Sequence, residues 1–460
     1  MRKYSYNTIV GDWKFKRWRF TVINKQQFNL LFFSLVIGLI TGITSAVFRL
    51  LLAHIDEVRN LLFTKAVLKG GVYFVYVISF SIFSVLVSLF LVKRFAKEAA
   101  GSGVQIIEGA LDNLLKIRWK KIFPVKLIGS IFSLGSGFLL GREGPTIQIG
   151  AGIGKMIKDI FKLEPGHENP LISAGAAAGL ASAFNAPLSG ILFVIEEMHE
   201  HFKYSFNSVA SIMIATGTAD FVVRSLIGAD PVIGIYIYKM PPLNMYWIFV
   251  ILGLFLSFIG FAFNYLLIQS LNIVQALKGY APYLYAISIG VIIIIVGFLN
   301  PDFIGGGYGT IHLVLDHTFN ITFLLLLFSG RFLLTILSYS TGLPGGIFAP
   351  LLAIGVVTGT LFGHLLQHTM PILQISVGVF AVAGMAGIFS ATIKAPLTGI
   401  MLAVEMTSDF QMVLPLIFTC FIASTMTTIL GNQPVYSILL KRVLNNPANS
   451  DIIIQQNKSA

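Results

Sequence analysis

From Leu30 to Leu430 the chain is a succession of apolar segments, at about 30–54, 72–93, 127–141, 171–195, 206–227, 245–270, 282–299, 321–340, 347–366, 375–405 and 412–430. Crossing a bilayer takes about 20 apolar residues per helix. Several of these runs are shorter than that, or are cut by Gly and Pro, so broken and half-length helices are expected. Only 11% of residues are charged and the mean hydropathy is +0.82, against about 25% charged residues in soluble domains. That excludes a water-soluble globular fold and predicts an all-α polytopic membrane protein. The first long run, Leu30 to Leu52, reads as a retained span rather than a cleaved signal peptide. The expected organisation is one membrane domain over 27–440, with halves at about 30–230 and 240–440. A basic segment 1–26 precedes it, and a short tail, 441–460, follows without a regulatory domain.

The net charge of +12 is placed in a way that argues against nucleic acid as a partner. Arg2, Lys3, Lys14, Lys16, Arg17, Arg19 and Lys25 face a single acid, Asp12, and a second cluster holds Lys116, Arg118, Lys120, Lys121 and Lys126. Basic segments flanking apolar spans mark the cytoplasmic side and contact lipid headgroups. Both termini are therefore expected in the cytoplasm. The single cysteine, Cys420, excludes an intrachain disulfide and any cysteine-based metal cluster.

Within this apolar chain one carboxylate stands out. Glu143 lies in Gly141-Arg142-Glu143-Gly144-Pro145, directly after the charge-free stretch from Leu127. A carboxylate at membrane depth costs a few kcal/mol or more and usually lines an ion pathway. The surrounding Gly and Pro break a helix, which is tolerated there only where the backbone lines a cavity enclosed by protein. The pattern points to transport.

The chain also repeats itself. Ala174-Gly175 through Asn185-Ala186-Pro187-Leu188-Ser189-Gly190-Ile191 to Glu196 aligns without gaps on Ala383-Gly384 through Lys394-Ala395-Pro396-Leu397-Thr398-Gly399-Ile400 to Glu405. Upstream, Gly141-Arg142-Glu143-Gly144-Pro145 falls on Gly346-Ile347-Phe348-Ala349-Pro350, Gly150 on Gly355 and Gly154 on Gly359. Matching interruptions in two halves locate the binding site of a repeat-built transporter near the bilayer midplane. Glu143 and Phe348 are then expected to face one pathway from opposite halves.

Four motifs, in order, resemble the CLC chloride channel and transporter family, and in particular its prokaryotic proton/chloride exchangers. They are Gly101-Ser102-Gly103-Val104-Gln105, the two aligned motifs above, and Tyr436 in Gln433-Pro434-Val435-Tyr436-Ser437. The likeness runs from about residue 30 to 440. It implies a homodimer with one pore per subunit, each built from two inverted halves of tilted helices, in a prokaryotic plasma (inner) membrane. The transported ions would be chloride and protons, with no cofactor and no metal. The implied anion site is lined by Ser102, Gly144, Ile347, Phe348 and Tyr436, with Gly101, Gly103, Gly141, Arg142, Pro145, Gly346 and Pro350 shaping it. Helix N-termini suit such a site because they offer unpaired N–H groups without a buried cation, and hydroxyls add donors that still let the ion leave.

By the same resemblance Glu143 is the gating glutamate, competing with chloride when deprotonated and swinging away when protonated. Glu197 matches the internal proton-transfer glutamate. The repeat pairs its neighbour Glu196 with Glu405, which makes Glu196 the more architectural of the two. The family's first motif usually ends Ile-Pro, and Val104-Gln105 departs from it. Ser102 favours chloride over nitrate or fluoride.

Competing readings are weaker. A passive channel on the same fold is the main alternative, and Glu197 counts against it. An intramembrane hydrolase would need a base beside Ser102, Ser133 or Ser136, and no histidine lies near them in sequence. Gly150-Ala151-Gly152-Ile153-Gly154-Lys155 fits neither nucleotide-loop pattern. His199-Glu200-His201 lacks the i, i+4 spacing of helical zinc ligands and reads as a polar helix end. Arg331 reads as a structural cation, Arg142 as no ion-pair partner of Glu143.

Overall fold

The computed structural model describes residues 25–198, 200–234, 238, 240–370 and 376–454. The first half contains α1 (Lys25–Lys69), α2 (Val72–Phe95), α3 (Val104–Leu111), α4 (Trp119–Gly135), α5 (Glu143–Ile160), α6 (Glu168–Phe184), α7 (Pro187–Glu196) and α8 (Phe206–Ile227). The second contains α9 (Trp247–Ala276), α10 (Ala281–Leu299), α11 (Tyr308–Asp316), α12 (Ile321–Ser340), α13 (Phe348–Thr369), α14 (Val377–Ile393), α15 (Pro396–Thr407), α16 (Val413–Ile429) and α17 (Val435–Leu444). Among the described residues, eight helices are long and apolar enough to cross a membrane. The basic residues Arg2 to Arg19 of the N-terminal segment lie outside the described residues.

The expected breaks occur, and they fall where the backbone demands them. Asn185, at φ 53°, and its repeat mate Lys394, at φ 75°, both adopt left-handed backbone, and Pro187 and Pro396 then open the next helices. The apolar runs 171–195 and 375–405 are therefore each two helices, α6–α7 and α14–α15. The run 127–141 is not one span either, since α4 begins at Trp119 and ends at Gly135. Helix α1 reaches far beyond the run 30–54: 45 residues give about 68 Å, twice the hydrocarbon thickness.

At the centre lie α6 and α14, buried on almost every side, as helices apolar all round must be. Glycines bring their backbones against α5 and α13. A Cβ on Gly150 would stand 2.0 Å from the Gly175 carbonyl oxygen, and one on Gly355 would stand 2.5 Å from that of Gly384. One turn on, Gly154 and Gly359 make the same approach, 2.2 Å and 1.9 Å, to Leu171 and Phe380. Both halves thus use one packing device, small residues where membrane helices touch. The superficially nucleotide-like run from Gly150 is this packing seam, and Lys155 pairs with Glu168 at 2.6 Å.

The halves are joined by symmetric contacts. Gly141 and its equivalent Gly346 exchange two backbone hydrogen bonds of 2.7 Å in an antiparallel bridge. Glu196 accepts from the Leu397 and Thr398 amides (2.8 and 2.7 Å) and from Thr398 Oγ1. Glu405 accepts from the Leu188 and Ser189 amides (3.0 and 2.8 Å) and from Ser189 Oγ. Each carboxylate caps the short helix of the other half, where first-turn N–H groups have no helical partner. Equivalent residues meeting across a local two-fold axis are the relation of an inverted repeat, and Glu196 is architectural as the alignment indicated.

One expectation needs correction. Lys126 belongs to no exposed cytoplasmic cluster: it is fully buried on α4, donating to the Ala99 and Gly101 carbonyls at 3.1 and 2.6 Å. Lys116, Lys120 and Lys121 are exposed, whereas Arg118 clasps Glu98 and Asp451. The segment after 441 packs against the first half. Helix α17 runs to Leu444, and Ile452 and Ile454 bond to Lys116 and Leu114.

Candidate anion pathway

Four helix N-termini converge between the halves: those of α3, α5, α13 and α17. Each is preceded by one of the four motifs, and three of the approaches depend on glycine. Gly103, with φ 91°, caps α3, and Lys126 holds the segment before it through the Gly101 carbonyl. A Cβ on Gly144 would stand 2.4 Å from Ser102 Oγ, and one on Gly346 would stand 2.9 Å from the Gly144 amide nitrogen. Pro145 and Pro350 sit in the first turns of α5 and α13, where a missing N–H costs nothing.

Ser102, Glu143, Ile347, Phe348 and Tyr436 are all fully buried. The Ser102 and Tyr436 hydroxyls lie 3.4 Å apart. The Phe348 ring meets Tyr436 edge-on at 5.8 Å and Phe193 at 5.6 Å. Glu143 Oε2 accepts from the Ala349 amide in the first turn of α13 (3.3 Å), and its Oε1 accepts from the Tyr308 hydroxyl (2.7 Å). The carboxylate of one half therefore sits on the helix N-terminus of the other, where an anion is favoured. Gly141 makes room for it, since a Cβ there would stand 2.1 Å from Oε2. Arg142 turns away from Glu143, donating to the Ala183 carbonyl at 3.2 Å and lying over the Tyr308 ring at 4.6 Å.

A cavity of about 540 Å³ leads to Gly141 and Arg142, lined also by Arg49, Arg59 and Tyr308. The mouth also carries three carboxylates, Asp56, Asp230 and Asp302, and Arg59 pairs with Asp56 at 2.6 Å. A second cavity, of about 310 Å³, holds Lys93, Lys97, Glu98 and Gln105. Gln105, the departure from the family's proline, is buried at the start of α3, its Oε1 without a hydrogen-bond partner among the described residues.

Glu197 is not among the converging residues. It is half-buried just past the end of α7, within electrostatic reach of Glu108 on α3, and both carboxyls reach Tyr436 in the same way. Glu108 is a group that sequence reasoning missed, as are Tyr308 and Tyr339, whose hydroxyl accepts from the Ser102 amide at 3.3 Å. The tyrosines carried one signal: Tyr308 follows Gly305-Gly306-Gly307 at a helix start, as the recognised motifs do.

Arg331, fully buried, donates to the Phe303 and Gly305 carbonyls and to Thr310 Oγ1, and so is a structural cation. His199 lies outside the described residues; His201 pairs with Asp112 at 2.6 Å. The Ser133 hydroxyl donates to the Pro344 carbonyl and that of Ser136 to the Ser133 carbonyl.

Such a fold and site define a class: multi-pass membrane proteins in which broken helices of two inverted halves aim their N-termini at one anion pathway. The sequence model described as voltage gated chloride channel matches residues 84–428. The chain belongs to that family, the CLC proteins. It is similar to the H(+)/Cl(-) exchange transporter ClcA of Vibrio parahaemolyticus, 40% identical over 434 residues, 93% of this chain and 92% of that one. The protein of the same name from Salmonella paratyphi C is 36% identical, over 95% of this chain and 93% of its own. Among solved structures, a slow cyanobacterial Cl-/H+ antiporter superposes with a TM-score of 0.88 at 35% identity, covering 91% of this chain and 99% of that one. A eukaryotic CLC transporter, at 20% identity and a TM-score of 0.77, shares the fold over 90% of this chain and 74% of that one.

Proposed function

We propose that this protein is a proton-coupled chloride antiporter, a transporter and not an enzyme. The observation that carries the reading is the Glu143 carboxylate seated on the α13 N-terminus, where a chloride ion would be held. Deprotonated, the side chain occupies an anion position; protonated, it has no charge to hold it there and yields the position to chloride. One group thus binds a proton and blocks the anion in mutually exclusive states, which couples the two fluxes.

Chloride is dehydrated between the Ser102 and Tyr436 hydroxyls and the first-turn amides of α5 and α13, around Gly144, Ile347 and Phe348. Glu197 hands protons between the cytoplasm and Glu143; its place within electrostatic reach of Tyr436 supports that route. The protein works as a homodimer in the lipid of the inner membrane, as the family resemblance supports. Exposed Lys116, Lys120 and Lys121 support a cytoplasmic position for that loop, and the segment 449–454 packed beside it supports the same side for the end of the described chain. The transporting unit is the single membrane domain from about residue 27 to 440.

The test is the reversal potential of the purified protein in liposomes under a fixed chloride gradient, with and without a pH gradient. A shift on imposing the pH gradient is expected. A potential that stays at the chloride equilibrium value refutes exchange and leaves a channel.

A further inference from the structure

Nothing above assigns a role to Tyr308. It opens α11 after Gly305, Gly306 and Gly307, of which Gly305 (φ 76°) and Gly307 (φ 115°) are left-handed. That loop is fixed from below by Arg331, through Gly305, Phe303 and Thr310. A Cβ on Gly307 would stand 2.9 Å from Ala353 Cβ and 3.1 Å from Arg331 Nη2, so the turn is pressed onto α13. The ring is held in turn, under the Arg142 guanidinium and 6.5 Å from Phe184. Its hydroxyl has one acceptor among the described residues, Glu143 Oε1 at 2.7 Å.

We infer that Tyr308 is a positioning residue, a latch that holds the Glu143 side chain in the anion pathway and sets how readily it leaves. The inference rests on the reading of Glu143 as the gating group. A hydroxyl can donate to a carboxylate more strongly than to a neutral acid, so the latch acts on the blocking form and lets go of the other. The other charged groups facing the Tyr308 hydroxyl are Arg142 and Arg49, which stay charged at all pH values used and supply no titration of their own. A tyrosine on a rigid turn also keeps its hydroxyl in place when the glutamate swings out, ready to recapture it.

The test is a cycle of Tyr308→Phe and Glu143→Gln, read as chloride efflux and proton uptake from liposomes at pH 7.5 and pH 4.5. Losing one charge-assisted bond is worth on the order of tenfold. Tyr308→Phe is expected to speed exchange about tenfold at pH 7.5, much less at pH 4.5, and not at all in the Glu143→Gln background. An unchanged or slower rate at pH 7.5 overturns the inference, as does an equal change in both backgrounds, the sign of a merely structural role. Should the Phe variant fail to purify as a monodisperse protein, Tyr308→Leu enters the same cycle with the same expectation. If the Glu143→Gln single variant still couples protons to chloride, the gating reading itself falls, whatever Tyr308 does.

Discussion

Replacing Glu405 with alanine removes three hydrogen bonds at once, from the Leu188 amide, the Ser189 amide and the Ser189 hydroxyl. Bonds to a charged acceptor are worth about 1.5–3 kcal/mol each, but this carboxylate is half-buried, so the low end applies. Leu188 is 50% exposed while Ser189 is fully buried. The first amide can find other partners, and the second residue leaves a donor pair orphaned. The sum is about 2–4 kcal/mol. At roughly 1 °C per kcal/mol for a chain this large, the thermal midpoint in detergent should fall by about 2–4 °C. Glu196→Ala loses the mirror-image set, with Leu397 at 55% and Thr398 at 0% exposure, so the two losses should agree within about 1 kcal/mol. Glu405→Gln keeps one acceptor and adds a misplaced donor, and should recover about half. The assay is a melting curve of each purified variant, followed by tryptophan fluorescence and by the monodisperse fraction on gel filtration. A midpoint within 1 °C of the parent for both alanine variants refutes the capping argument; a large loss in only one refutes its symmetry.

Glu143→Ala or Glu143→Gln should leave chloride flux running without proton movement, and Glu197→Gln should do the same; retained proton uptake in liposomes would remove the assigned role from that residue. Gly359→Ala would put a methyl 1.9 Å from the Phe380 carbonyl oxygen and should cost about 3 kcal/mol or more, read as lost monodisperse protein. Gly152→Ala, whose nearest neighbour would be Trp119 Cβ at 3.9 Å, should be neutral or gain up to about 1 kcal/mol. The Arg118 guanidinium, chiefly through its hydrogen bond, holds the Asp451 carboxyl below the usual carboxylate range. A depressed value stabilises docking of 449–454 above that range and loses it as pH falls through the lowered value. Hydrogen exchange in 449–454 should therefore rise below about pH 4, and Asp451→Asn should show the raised exchange at every pH.

What the sequence disclosed was whatever one segment carries by itself. The break at Asn185, the helix start at Pro187 and their copies at Lys394 and Pro396 are local backbone events, and the alignment of Glu196 on Glu405 was enough to mark Glu196 as architectural. Glu143, Ser102, Phe348 and Tyr436 were legible because each stands in its own glycine or proline motif. The rest depends on tertiary placement. Lys126 follows Lys120 and Lys121 in sequence, but the rise of α4 carries it into the interior, where two carbonyls rather than headgroups meet it. Tyr339 sits at the C-terminal end of an apolar helix, and nothing in α12 indicates that its hydroxyl meets the Ser102 amide. Glu108 lies on the short helix that starts just after Ser102, and only tertiary placement brings it within electrostatic reach of Glu197.

The glycine seams between α5 and α6 and between α13 and α14 have a mechanical consequence. Backbones in direct contact leave no side-chain layer to shear, so the helices that present amides to the pathway cannot slide or tilt past their partners without opening a void. Rocking one half against the other would also break the Gly141–Gly346 bridge and both carboxylate caps together. On the proposed function, alternation between the two faces of the membrane is left to whatever can rotate within a stationary frame, and that means side chains. The scaffold then needs no reorganisation at each turnover, and the stroke of the machine is no longer than one glutamate.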